Sequence, residues 1–103
     1  MIFRGTTPAV PINTSQNLMG YSRVIVTFED RGGTEVDVVG PGPDLSITAS
    51  QIIARLSQEQ TLALEPGPVK IQIRAVDGAG HAVASFIMKD EVKDVLKEGV
   101  IVV

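Results

Sequence analysis

The chain has 103 residues, with nine Lys and Arg against twelve Asp and Glu, a formal charge of −3, one His, no Cys and no Trp. That length accommodates one domain with one core, and the lack of Cys removes disulfide and thiolate-metal chemistry. A mildly acidic chain with scattered basic residues is a poor match for nucleic acid.

Two segment types are missing as well. The first eight residues, Met1-Ile2-Phe3-Arg4-Gly5-Thr6-Thr7-Pro8, lack the charged lead and apolar run of a signal peptide. No apolar stretch approaches the roughly twenty residues that cross a bilayer. The expectation is a soluble protein with no secretory export and no membrane partner.

After Pro8, Ala9-Val10-Pro11-Ile12 reads as a short edge strand, because Pro11 lacks a ladder donor and an edge tolerates that loss. Residues 13–20 read as loop. Over residues 21–29, Ser22, Val24, Val26 and Phe28 alternate with Arg23, Ile25, Thr27 and Glu29. This is the period of a half-buried strand, with Val24, Val26 and Phe28 on the core face. Asp30-Arg31-Gly32-Gly33 makes a hairpin connection into a strand over 34–39, where Val36 and Val38 point one way and Glu35 and Asp37 the other. Gly40-Pro41-Gly42-Pro43 ends it, since donorless prolines between glycines continue neither a helix nor a central strand.

Residues 45–48 and 51–56 are shorter strand candidates with a bend at Ala49-Ser50, although Ile52, Ile53, Arg55 and Leu56 also fit one helical turn. Ser57-Gln58-Glu59-Gln60 has the spacing of a capping box and predicts a helical turn over 58–62. Glu65-Pro66-Gly67-Pro68 closes that turn, with Leu62 and Leu64 sealing one end of the core.

The most regular pattern follows. Val69, Ile71, Ile73 and Ala75 alternate with Lys70, Gln72, Arg74 and Val76 before Asp77-Gly78-Ala79-Gly80 interrupts; Ala82, Ala84, Phe86 and Met88 then alternate with His81, Val83, Ser85 and Ile87. Period-two patterning on both sides of a Gly-rich turn predicts a β-hairpin. Its expected core face is Ile71, Ile73, Ala82, Ala84 and Phe86. In residues 89–98, Val92, Val95 and Leu96 have helical spacing, but a strand running through residue 90 or 91 before a turn is preferred. The expected fold is all-β: an immunoglobulin-like antiparallel β-sandwich of about seven strands with one or two short helical turns, a single domain over 1–103.

The reactive inventory is small. His81 is the single histidine, so one chain offers no paired imidazole site, and Ser85, four residues on along an extended strand, is too far for a direct hydrogen bond. His81 therefore reads as an exposed turn residue. Glu29, Asp30, Asp37, Asp44 and Asp77 lie near turns, but no compact Asp-x-Asp loop supplies the six or more oxygens that calcium takes. They read as solvated turn carboxylates. Gly78-Ala79-Gly80 lacks the third glycine and the following helix of a dinucleotide fingerprint, and Asn13-Thr14-Ser15 matches a glycosylation sequon but reads as a polar loop. No catalytic, cofactor or metal residues are expected.

One Tyr and no Trp leave little for stacking on sugars. Apolar residues on the faces opposite the core are more informative: Ile25, Val39, Val76, Val83 and Ile87. Either other segments cover them or that face meets a partner. The candidate interface is Gln72, Arg74, Val76, Val83, Ser85 and Ile87.

Residues 1–8, together with Val69-Lys70-Ile71-Gln72-Ile73-Arg74, Ala84-Ser85 and Val95-Leu96-Lys97-Glu98-Gly99-Val100-Ile101, resemble a family of small proteins encoded in prophages of Firmicutes. The resemblance spans most of the length, and Gly40-Pro41-Gly42-Pro43-Asp44 departs from it where a simpler turn is expected. It implies a phage or prophage gene product from the structural region, made in the cytoplasm of a bacterial host and carried in the virion as a tail or baseplate component. The family has no assigned catalytic or binding residues, so none carries over. The expected function is a non-catalytic structural or interaction module whose partners are other phage structural proteins or itself. The alternative is a receptor- or glycan-binding domain at a tail tip.

Overall fold

The computed structural model describes residues 1–85 and 87–103. The chain runs β1 (Ile2–Phe3), β2 (Ala9–Asn13), β3 (Arg23–Asp30), β4 (Glu35–Gly40), β5 (Leu45–Ile47), β6 (Gln51–Arg55), α1 (Gln58–Ala63), β7 (Gly67–Val76), β8 (Ala82–Ala84) and β9 (Met88–Lys93). The all-β class read from the sequence holds. A large sheet has the order β1-β9-β7-β3-β4, with β8 pairing the far end of β7, and a small sheet has the order β2-β6-β5.

Alternation places the core as the sequence implies. Val24, Val26 and Phe28 of β3, Val36 and Val38 of β4, and Val69, Ile71, Ile73 and Ala75 of β7 are buried, and they cluster with Ile12, Leu45, Ile52 and Ala54 of the small sheet. Each large side chain so buried contributes on the order of 1.5–3 kcal/mol. β2 is an edge strand despite its length, with Pro11 opposite Ile53, as a residue without an N–H requires. Residues 51–55 form a strand rather than the alternative helical turn.

Where the chain passes from the large sheet to the small one, Gly40 ends β4 and lies against Leu45 of β5. A Cβ added at Gly40 would sit 2.6 Å from the Leu45 Cβ, so this crossing accepts no side chain. The Gly40–Pro41 peptide bond is cis.

α1 begins as its capping box dictates: the Gln60 N–H donates to Ser57 Oγ (3.1 Å), and the Ser57 N–H donates to Gln60 Oε1 (2.8 Å). Thr61 is buried and its hydroxyl donates to the Thr6 carbonyl (2.9 Å), tying the helix to the first loop. Leu64 is fully buried beyond the helix, while Leu62 is half-buried.

Three expectations require correction. The sheets are not wholly antiparallel, because β1 pairs β9 in parallel, Ile2 opposite Val92. Nine strands stand among the described residues rather than seven, since the two-residue β1 carries too little pattern to be read and the return arm of the hairpin divides into β8 and β9. The third concerns the face of that arm. Ala75 pairs with Val83, so Val83 turns inward, while Ala82 and Ala84 face out and are exposed. Phe86, assigned to the core face from its spacing, lies outside the described residues.

The cause is register. β8 pairs β7 with Arg74 opposite Ala84, and β9 pairs β7 with Ile71 opposite Met88. Between those pairs β7 has two residues and the returning chain three, the residue excess of a β-bulge. One residue of excess exchanges the faces, so the inward set is Val83 before it and Met88 and Val92 after it. The strand continues through Lys93, as preferred for the tail over a helix.

Candidate functional site

The outward face of the large sheet is built by the residues that alternate with the core set. The pairing registers line them up in transverse rows. One row reads Glu35 of β4, Glu29 of β3, Lys70 of β7 and Lys89 of β9. The next holds Asp37, Thr27 and Gln72, and the one beyond it Val39, Ile25, Arg74 and Ala84. Arg23, Val76 and Ala82 follow. In the first of these rows the acids stand on β4 and β3 and the bases on β7 and β9, while Arg23 of β3 and Glu91 of β9 lie outside that order toward the two ends of the face.

Local bonds hold the middle of this surface. Thr27 Oγ1 donates to Asp37 Oδ1 at 2.7 Å, and Gln72 Nε2 donates to the Ser85 carbonyl at 3.1 Å. Among the described residues, Glu29, Glu35, Lys70, Arg74 and Lys89 form no ion pair. Ile87 is 57% exposed and Val39 46% exposed. Ile87 borders a shallow depression of about 170 Å³ walled by Thr27, Glu29, Lys70 and Arg74.

The structure divides the predicted interface set. Gln72, Arg74, Val76 and Ile87 share this outer face. Val83 and Ser85 do not belong with them. Val83 packs against the core and Ser85 lines a cavity on the inner side, both displaced by the register change described above. Ser85 is committed to the backbone: its N–H donates to the Ile73 carbonyl (2.8 Å) and its hydroxyl accepts the Ile73 N–H (2.9 Å). The cavity, about 570 Å³, also takes in Thr14, Leu18, Ile73 and Met88, and Thr14 Oγ1 is buried there with no hydrogen-bond partner among the described residues. Sequence reasoning missed Glu29, Glu35, Lys70 and Lys89 as a unit. Their charges are visible in the chain, but their alignment exists only once the registers are set.

The other polar residues have structural work. His81 is exposed beside the hairpin turn, with Nδ1 3.3 Å from Asp77 Oδ2, while Asp77 Oδ1 accepts the N–H groups of Ala79 and His81 at 2.9 Å. Those bonds, the His81 N–H first, hold the Asp77 carboxyl below the usual carboxylate range. Arg4 reaches the Leu64 and Leu62 carbonyls (both 2.9 Å), Asp94 (2.8 Å) and Glu98, tying the start of the chain to the helix end and the tail. Among the described residues, no three His, Asp or Glu side chains converge as a cation site, and no helix is long and apolar enough to cross a membrane. The chain matches no family model, no curated protein and no solved structure.

Proposed function

We propose that this chain is a non-catalytic structural or protein-interaction module, an immunoglobulin-like component of a phage tail or baseplate that works through the outer face of its large sheet. The observation that carries the reading is the makeup of that face. Val39 and Ile87 expose apolar surface among charges that have no ion partner among the described residues, the mixture found at the rim and centre of non-obligate interfaces. The phage setting rests on the resemblance of residues 1–8, 69–74, 84–85 and 95–101 to prophage-encoded proteins. The partners in this reading are other phage structural proteins or a second copy.

Quantitative mass spectrometry of particles purified from a host carrying the gene tests the reading. The chain is expected at a fixed copy number per particle, and Ile87→Asp is expected to lower its incorporation while leaving the fold intact. Intact, infectious particles that lack the chain overturn it.

A further inference from the structure

The row Glu35, Glu29, Lys70, Lys89 places like charges side by side twice. Glu29 stands directly opposite Glu35, and Lys70 directly opposite Lys89. Like charges at directly opposed positions of a sheet destabilise the strands that carry them. Within one copy only the central pair, Glu29 opposite Lys70, is favourable, and exchanging Glu35 for a base or Lys89 for an acid would remove the two flanking repulsions. The order acid, acid, base, base does have one property: it is its own complement when turned end for end.

We infer that the outer face of the large sheet pairs with the same face of a second copy of this chain, about a two-fold axis parallel to the strands and lying between β3 and β7. That rotation lays β4 over the second copy's β9 and β3 over its β7. Glu35 then meets Lys89 of the second copy and Glu29 meets Lys70, and each contact recurs by symmetry, as an isologous interface requires. Two rows along the strands, the same operation sets Val39 over Ala84 and Ile25 over the aliphatic stem of Arg74, which covers apolar surface that one copy leaves in water. A two-fold axis across the strands would put acid on acid, so the charge order selects a single arrangement.

The size of the face sets the strength. Four strands about 4.8 Å apart and about eight residues long, at about 3.4 Å each, cover on the order of 500 Å² in projection. Stable complexes bury about 800 Å² per partner, so this dimer is weak and sensitive to salt.

Sedimentation equilibrium of the full chain up to about 1 mM in low salt tests the pairing. The expected result is an average mass rising with concentration from 10.9 kDa toward twice that value, with association about tenfold weaker when the salt is raised well past physiological strength. Lys70→Glu with Lys89→Glu makes the row wholly acidic, and Glu29→Lys with Glu35→Lys makes it wholly basic. Each double variant alone is expected to be monomeric with an unchanged circular dichroism spectrum, and an equimolar mixture of the two is expected to dimerise. Arg55→Glu with Lys97→Glu, an equal charge change away from this face, is expected to behave as the unaltered chain does.

A monomer at the highest concentration, undiminished association of either double variant, or a mixture that stays monomeric overturns the inference. It rests on the interaction-module reading but fails separately from it. A chain monomeric in solution and present at fixed copy number in particles removes the self-pairing and leaves the module.

Discussion

Asp30 joins two parts of the fold through one side chain. It is buried at the end of β3, where Oδ1 accepts the N–H groups of Gly32 and Thr34 (both 2.9 Å) and Oδ2 accepts that of Glu65 (2.8 Å). One carboxylate therefore closes the β3–β4 turn and fastens it to the loop after α1. Burial taken alone would push its pKa up. The N–H donors of Glu65, Thr34, Gly32 and Gly33 together outweigh burial and hold it below the ordinary carboxylate value. Because the folded value lies below the unfolded one of about 3.9, its stabilising contribution is complete above roughly pH 4 and is lost as pH falls through the folded value. Asp30→Asn turns an amide NH₂ toward donors and leaves N–H groups unsatisfied, at a cost of about 2–3 kcal/mol near neutral pH. In urea titrations the variant's midpoint is expected well below that of the parent at pH 7, with the gap narrowing in acid. Equal midpoints at pH 7 would show that the carboxylate is not the clasp. The sequence marked Asp30 only as a turn carboxylate, because its third donor comes from residue 65 and no local pattern announces it.

At the scale of elements, the return arm from β7 is where pattern and structure part. The alternation of Ala82, Ala84, Phe86 and Met88 is regular in the chain, yet the arm divides into β8 and β9 with opposite phases against β7. Val83→Asp places a charge among core residues and is expected to destabilise by about 2–3 kcal/mol, whereas Ala84→Asp, on the solvent face, is expected to stay within about 0.5 kcal/mol. Thermal unfolding of the two variants distinguishes the faces, and the reverse order of effects would restore the unbroken hairpin. Elements governed by near neighbours were legible with little error. The helix begins at its capping box, β3 and β4 follow their alternation, and β2 accepts Pro11 at an edge. β1 was not legible, since two residues have no period and its partner lies some ninety positions away at Val92 and Lys93.

Across the whole molecule, the closing segment stands out beside the packed sheets. Val100, Ile101, Val102 and Val103 are all exposed, and Gln58 holds Ile101 at both backbone groups, donating to its carbonyl (3.1 Å) and accepting its N–H (2.7 Å). Removing residues 100–103 deletes those bonds and little buried apolar surface, only Val100 being as much as half covered, so a loss of no more than about 1–2 kcal/mol is expected in chemical denaturation. A larger loss would mean that the segment packs on the body. The same comparison of near and distant contacts applies to the candidate surface. Arg74, Gln72, Val76 and Ile87 could be named from alternation, while the acid-acid-base-base row of Glu35, Glu29, Lys70 and Lys89 became visible only when four strands were set side by side.

The sequence by itself determined the all-β class, the turn positions, the helix start and the inward residues of β3, β4 and β7. Each of these depends on residues within a few positions of one another, through side-chain period, proline geometry and capping. Only the tertiary structure decided the parallel partner of β1, the phase change between β8 and β9, the triple clasp at Asp30 and the charge order across the outer face. All four are registers or contacts between segments far apart in the chain, where a shift of one residue reverses a face and periodicity within either strand is silent about it.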